Sequence, residues 1–136
     1  MVEIQAVYEG GLHCRVTHGP SGQAFATDAP TDNQGKGEAI SPTDLLAASL
    51  GSCILTVMGI VAERHHLDLT GTTIEVQKEM ANVPVRRVVR LSSTVIFPRC
   101  FSHGERTLLE RAAKSCPVHH SLHPDIAVPL AFVYPA

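Results

Sequence analysis

The stretch Ser41-Pro42-Thr43-Asp44-Leu45-Leu46-Ala47-Ala48-Ser49-Leu50-Gly51-Ser52-Cys53-Ile54-Leu55-Thr56-Val57-Met58-Gly59-Ile60-Val61-Ala62-Glu63-Arg64-His65-His66 decides the fold of this chain. From Leu45 to Val61 it is apolar or small, and charge returns only at Glu63-Arg64-His65-His66. Leu45, Leu46, Leu50, Cys53, Ile54, Val57, Met58 and Val61 follow helical spacing. The opposite face, with Ala47, Ala48, Ser52 and Gly59, is small rather than charged. Such a helix is covered on most sides or packs closely against another backbone. Its start is set by Ser41 as N-cap, Pro42 at the first helical position and Asp44 in the first turn, where a carboxylate complements the dipole. Its end is expected at His65 or His66. Because the run is rich in Ala, Ser, Gly and Thr, it reads as a core helix before it reads as a membrane span.

Outward from this helix, the N-terminal third reads as short strands. Val2 to Tyr8, Leu12 to Thr17 and Gln23 to Thr27 are the candidates, with the turn residues of His18-Gly19-Pro20-Ser21-Gly22 between the last two. Asp28 to Ser41 is a polar loop, long for a compact domain, and such loops tend to be functional or mobile. After the helix, Thr72 to Met80 and Val85 to Phe97 read as strands joined through Ala81-Asn82-Val83-Pro84. Ser102-His103-Gly104-Glu105 matches a capping box and opens a second helix through Leu108, Leu109, Ala112 and Ala113. Pro117 ends that helix or begins a separate turn. Ala127 to Tyr134 is a last strand, and Pro129 places it at an edge or bulge. The expected order is βββ-α-ββ-α-β, an α+β fold with helices on one face of a largely antiparallel sheet.

Composition narrows the function. The 136 residues are read as one domain, 1–136. A formal net charge of -2 gives no basic footprint for nucleic acid or an anionic membrane. Trp is absent and aromatics are 4%, so a stacking platform for bases is not expected. Met1-Val2-Glu3-Ile4-Gln5 lacks the pattern of a signal peptide, which points to the cytoplasm. Thiols stay reduced there, so the 4 cysteines read as free, catalytic or metal-binding.

Two of them carry the chemistry. Cys53, in the middle of the apolar helix, reads on its own context as a small core hydrophobe whose thiol burial makes inert. To react it needs a cation or donor to stabilise its thiolate; Arg15 and Lys36 are the candidates. If Pro117 opens a new helical turn, Cys116 is its N-cap, and the N–H groups of that turn favour a thiolate. A pair far apart in sequence and on two helices suits peroxide reduction. One thiolate attacks the O–O bond and becomes a sulfenic acid, a second thiol condenses with it, and an external thiol restores both. An apolar wall around Cys53 favours an organic peroxide over hydrogen peroxide. A rival reading is a metal site at Cys116, His119, His120 and His123, all of ligand type and closely spaced. Another is a non-enzymatic module binding an apolar ligand. Cys14 and Cys100 read as structural. Neither a phosphate-binding glycine loop nor a serine nucleophile elbow is present.

The segment Ser41 to Cys53, the preceding Gly35-Lys36-Gly37 and the later Cys116-Pro117 resemble the OsmC/Ohr family of osmotically induced and organic-hydroperoxide-resistance proteins. The strand and helix order fits across the chain. The resemblance implies an intertwined homodimer with its active sites at the subunit interface. It implies Cys53 as the peroxidatic and Cys116 as the resolving cysteine, and reduction of organic hydroperoxides to alcohols by a dithiol reductant. It implies no metal and no bound organic cofactor. The family glutamate that follows the helix-opening proline is replaced here by Thr43. Asp44 and Glu38 are the candidate substitutes, and Arg15 is the candidate for the family arginine.

Overall fold

Ser41 and Asp44 fix the start of the central helix reciprocally. The Asp44 N–H donates to Ser41 Oγ at 3.0 Å, and the Ser41 N–H donates to Asp44 Oδ2 at 3.1 Å. Two of the orphan donors of the first turn are thereby satisfied. The computed structural model describes residues 1–136 and carries this helix, α1, from Pro42 to Arg64. It therefore ends one turn-residue short of the expected His65, and His66 takes a positive φ of 57° as the chain turns away.

Two compact units are present, Met1–Leu46 and Ala47–Ala136. The first holds an antiparallel sheet of strands β1 (Ile4–Gly10), β2 (His13–His18) and β3 (Ala24–Asp28), in that order. The loop after β3 contains one 3-10 turn, Thr31–Asn33. Six of the seven β1 residues are exposed, including Ile4, Val7 and Tyr8. β1 alternates in sequence, yet this chain covers neither face of it.

The second unit holds most of α1 and a sheet of β4 (Thr73–Ala81), β5 (Arg87–Ile96) and β6 (Leu130–Val133), with helices α2 (His103–Ala113) and α3 (Pro117–Ser121). The expected α+β order is present, but with two sheets rather than one and a third short helix. β6 is also shorter than expected and pairs parallel to β5, because α2 and α3 form the crossover between them. Between Glu79 and Met80 the β4–β5 register slips by one residue. That slip lets Val88 and Leu91, of opposite parity, both turn inward with Ser93 and Val95.

Gly51 brings α1 close to β4. A Cβ there would sit 3.2 Å from a methyl of Ile74 and 3.2 Å from one of Val76. Leu50, Ile54 and Met58 line the same side of α1, each at most 1% exposed, and pack in one core with Leu91, Val95 and Leu109. Each such side chain contributes about 1.5–3 kcal/mol relative to exposure. Phe97 stacks on Tyr134 at 4.5 Å and meets Phe101 edge-on at 5.7 Å, closing the end of the sheet. The Tyr134 hydroxyl donates to Glu110 Oε2 at 2.7 Å, and the Arg106 guanidinium lies 4.1 Å above the ring. Burial and the Glu110 carboxylate push the Tyr134 phenol up, so it stays protonated.

The other side of α1 is open. The helix is long and apolar enough to cross a membrane, yet only 33% of its most apolar stretch is buried. Ala48, Ser49, Ser52, Thr56 and Ile60 form an exposed stripe of small and apolar side chains.

Candidate active site

Cys53 lies two residues beyond Gly51, so the close approach of α1 to β4 sets the depth of its sulfur. Its neighbours along the helix, Ser49, Ser52 and Thr56, are exposed, and Cys53 itself is half-buried. Cys116 arrives from the other end of the unit. Ser102 and Glu105 cap α2 reciprocally, at 3.2 Å and 2.8 Å, as the sequence pattern requires. The helix closes at Ala113, and Pro117 opens α3 with Cys116 as its N-cap. Cys116 Sγ accepts the His119 N–H at 3.5 Å, and the residue is 0% exposed. The expected N-cap geometry is thus present.

The two thiols are neighbours. Cys53 lies close enough to Cys116 to act on its thiol, and both sulfurs are free. Burial, first, and then the neighbouring Cys53 push the Cys116 thiol up; the N–H groups of His119 and Val118 pull it the other way. Burial wins, so Cys116 rests as a protonated thiol with two backbone donors beside its sulfur. A protonated, buried thiol near a second, half-exposed one can condense with an oxidised form of that neighbour where the two sulfurs close to the ~2.05 Å of a disulfide.

Other candidates take different places. Asp44 accepts the Ser41 N–H in the α1 cap, and Thr43 Oγ1 lies 3.2 Å from Ser41 Oγ. Glu38 is exposed in the loop, where its N–H donates to Asp28 Oδ2 at 3.0 Å. Arg15 is exposed on β2, opposite Val7 and Ala26 in the Met1–Leu46 unit, and Lys36 is exposed in the loop. Cys100 is exposed and Cys14 half-buried. The metal reading fails on geometry: no three His, Cys, Asp or Glu side chains are grouped to hold an ion. Cys116 is buried near Cys53, while the rings of His119 and His120 stack on each other at 6.0 Å. Two surface clefts of about 450 and 570 Å³ are lined by the end of α1 and by α2 with Tyr134, and neither contains Cys53 or Cys116.

Sequence reasoning missed one ionic cluster. Asp28, 5% exposed, accepts from His13 Nδ1 at 2.5 Å and from the Glu38 N–H, and Glu9 lies 3.7 Å from His13 Nε2. The hydrogen bond from His13 chiefly holds the Asp28 carboxyl below the usual carboxylate range, aided by the charge of His13 and the N–H groups of Glu38 and Ala39, against the effect of burial. Asp28 thereby ties the far end of the long loop back to β3. Only the β2–β3 register, which places His13 directly opposite Asp28, reveals the pair.

The model of the OsmC-like protein family matches residues 35–130. No curated protein matches the chain. A crystal structure from Psychrobacter arcticus, provisionally assigned as an osmotic stress induced and detoxification response protein, is 43% identical over 97% of this chain and 96% of that one, with a TM-score of 0.91. An organic hydroperoxide resistance protein OsmC from Legionella pneumophila is 18% identical over 98% and 96%, with a TM-score of 0.77. The organic hydroperoxide resistance protein OhrB of Bacillus subtilis is 17% identical over 97% of each chain, with a TM-score of 0.69. At that identity the last two speak for the fold alone.

Proposed function

The chain belongs to the OsmC-like protein family, and from that premise we propose that it is a thiol-dependent peroxidase reducing organic hydroperoxides to alcohols. One observation carries the reading: Cys53 and Cys116, remote in sequence, lie close enough for one to act on the other's thiol, one half-exposed and the other buried. The Cys53 thiolate attacks the terminal peroxide oxygen, the O–O bond breaks, and the alcohol leaves after taking a proton. The sulfenic acid on Cys53 then condenses with the Cys116 thiol, releasing water and leaving a disulfide. An external dithiol restores both thiols by exchange. Organic hydroperoxide resistance is named for several proteins of this fold, which supports the substrate class.

Arg15, exposed on β2, is the residue that the family resemblance offers as the cation for a reactive thiolate. The working form we propose is a homodimer in the cytoplasm. The uncovered faces of β1 and the exposed stripe on α1 are apolar surfaces that a second copy would bury. Turnover of cumene hydroperoxide with a dithiol tests the reading. Cys53→Ser is expected to abolish it. Cys116→Ser is expected to accumulate sulfenic, then sulfinic, acid on Cys53, visible by intact mass. Full turnover by Cys53→Ser would refute the assignment.

A further inference from the structure

One face of α2 and the segment after β6 enclose a cleft of about 570 Å³ that holds neither cysteine of the proposed cycle. We propose that this cleft binds a phosphate group, carried by the free ion or by a small ester. His103, Arg106, Glu110, Arg111 and Lys114 recur at helical spacing and line one wall, and Tyr134 lines the other. None of them belongs to β1 or to the exposed stripe of α1, the surfaces that a second copy is proposed to bury.

Arg106 is the fixed cation of the cleft. Its Nε–H donates to the Phe101 carbonyl at 3.1 Å, and its guanidinium lies 4.1 Å from the centre of the Tyr134 ring. That ring is itself held: it stacks on Phe97 at 4.5 Å, and its hydroxyl donates to Glu110 Oε2 at 2.7 Å. Arg106 spends its Nε–H on the carbonyl, so its Nη groups remain for another acceptor. A planar guanidinium anchored in this way offers paired donors to an oxyanion, and little side-chain freedom is lost when one binds.

Arg111 and Lys114 add two cations, both exposed, and neither enters an ion pair of the chain. Cations at a helix C-terminus complement its dipole, which gives Arg111 and Lys114 a structural role but gives none to Arg106, in the first half of α2. These three face one carboxylate, Glu110, which already accepts the Tyr134 hydroxyl. The cleft is therefore positive in a chain whose formal net charge is -2, and a concave wall focuses such a field. Three cations exceed what one carboxylate ligand would neutralise. A phosphate group, with about two charges and three acceptor oxygens, matches them.

The test titrates the full chain, labelled with nitrogen-15, with inorganic phosphate at ionic strength held constant with chloride, and follows the amide spectrum. The Arg111 and Lys114 amides and the Arg106 Nε–H are expected to shift together and saturate with a Kd of about 5 mM or tighter. Arg111→Gln and Lys114→Gln should each weaken binding at least about threefold, and the double variant should abolish saturation. Glu110→Gln keeps an acceptor for Tyr134 but removes the opposing charge, so binding should tighten at least about twofold. Arg90→Gln, an exposed cation outside the cleft, should bind as the wild type does. Glycerol 3-phosphate separates the two sources: tighter binding than phosphate assigns an ester, and equal or weaker binding assigns the free ion. No saturation, shifts centred away from α2, or an equal loss in Arg90→Gln overturns the proposal. So does an oligoglutamate peptide that displaces phosphate at about tenfold lower concentration, since the cleft would then belong to an acidic protein partner. Urea midpoints of each variant confirm that the chain is folded where binding is lost.

Discussion

Gly51 and Gly59 occupy the same helix, two turns apart, and alanine at each should act in opposite directions. In a helix interior, Gly→Ala gains about 1 kcal/mol from backbone entropy alone. At Gly59 a new Cβ meets nothing within 4 Å, so the full gain is expected. At Gly51 the same Cβ falls 3.2 Å from methyls of both Ile74 and Val76, so two strand side chains must give way at once. Overpacking of that kind costs roughly 1–3 kcal/mol, which cancels or exceeds the propensity gain. The two variants should therefore differ by about 1–3 kcal/mol, with Gly59→Ala above the wild type by about 1 kcal/mol and Gly51→Ala at or below it. Urea unfolding followed by circular dichroism measures this through the midpoint at constant slope. For a chain of this size 1 kcal/mol corresponds to roughly 3–6 °C in Tm. Melts at two protein concentrations separate chain stability from association, because Gly59 lies on the open side of α1. The reasoning is refuted if Gly51→Ala stabilises the protein as much as Gly59→Ala does. It would then follow that α1 does not press on β4 at Gly51, and that this contact does not set the depth of Cys53.

Two further outcomes are expected. The Asp28 carboxyl is held below its ordinary value of 3.8 in the folded chain, so its contribution is complete above that value and is lost as pH falls through the lowered one. Asp28→Asn should remove that dependence, leaving urea midpoints that fall less steeply between roughly pH 5 and 2 than those of the wild type; parallel curves would show that the His13–Asp28 pair does not tie the loop. Ser102→Ala deletes one half of the α2 capping box and should cost about 1 kcal/mol in the same assay, with peroxide turnover retained; an unchanged midpoint would mean that water replaces the cap without loss.

The local elements were legible in the chain because their signals are local. Ser41-Pro42 with Asp44 starts α1, Ser102 with Glu105 starts α2, and Cys116-Pro117 starts α3; each pattern acts within one turn of backbone. Strand ends moved by one to three residues, most at β6, where Pro129 lacks the N–H that would extend the pairing. What the residues could not state was which strands meet. The split into two sheets, the parallel β5–β6 pairing and the slip at Glu79 depend on contacts between remote segments. So does the His13–Asp28 pair, which exists only because β2 and β3 align in one register.

The same division runs through the cysteines. The sequence by itself determined that one thiol sits mid-helix in an apolar run and the other at an N-cap, since spacing and a following proline are enough for that. Only the tertiary structure decided that the two lie close together, that Cys116 lies wholly inside and Cys53 half outside, and that the neighbouring histidines gather no metal site. The physical reason is that a thiol's chemistry depends on solvent access and on the charges and donors around its sulfur. Those come from chain segments remote in sequence, and packing alone brings them together.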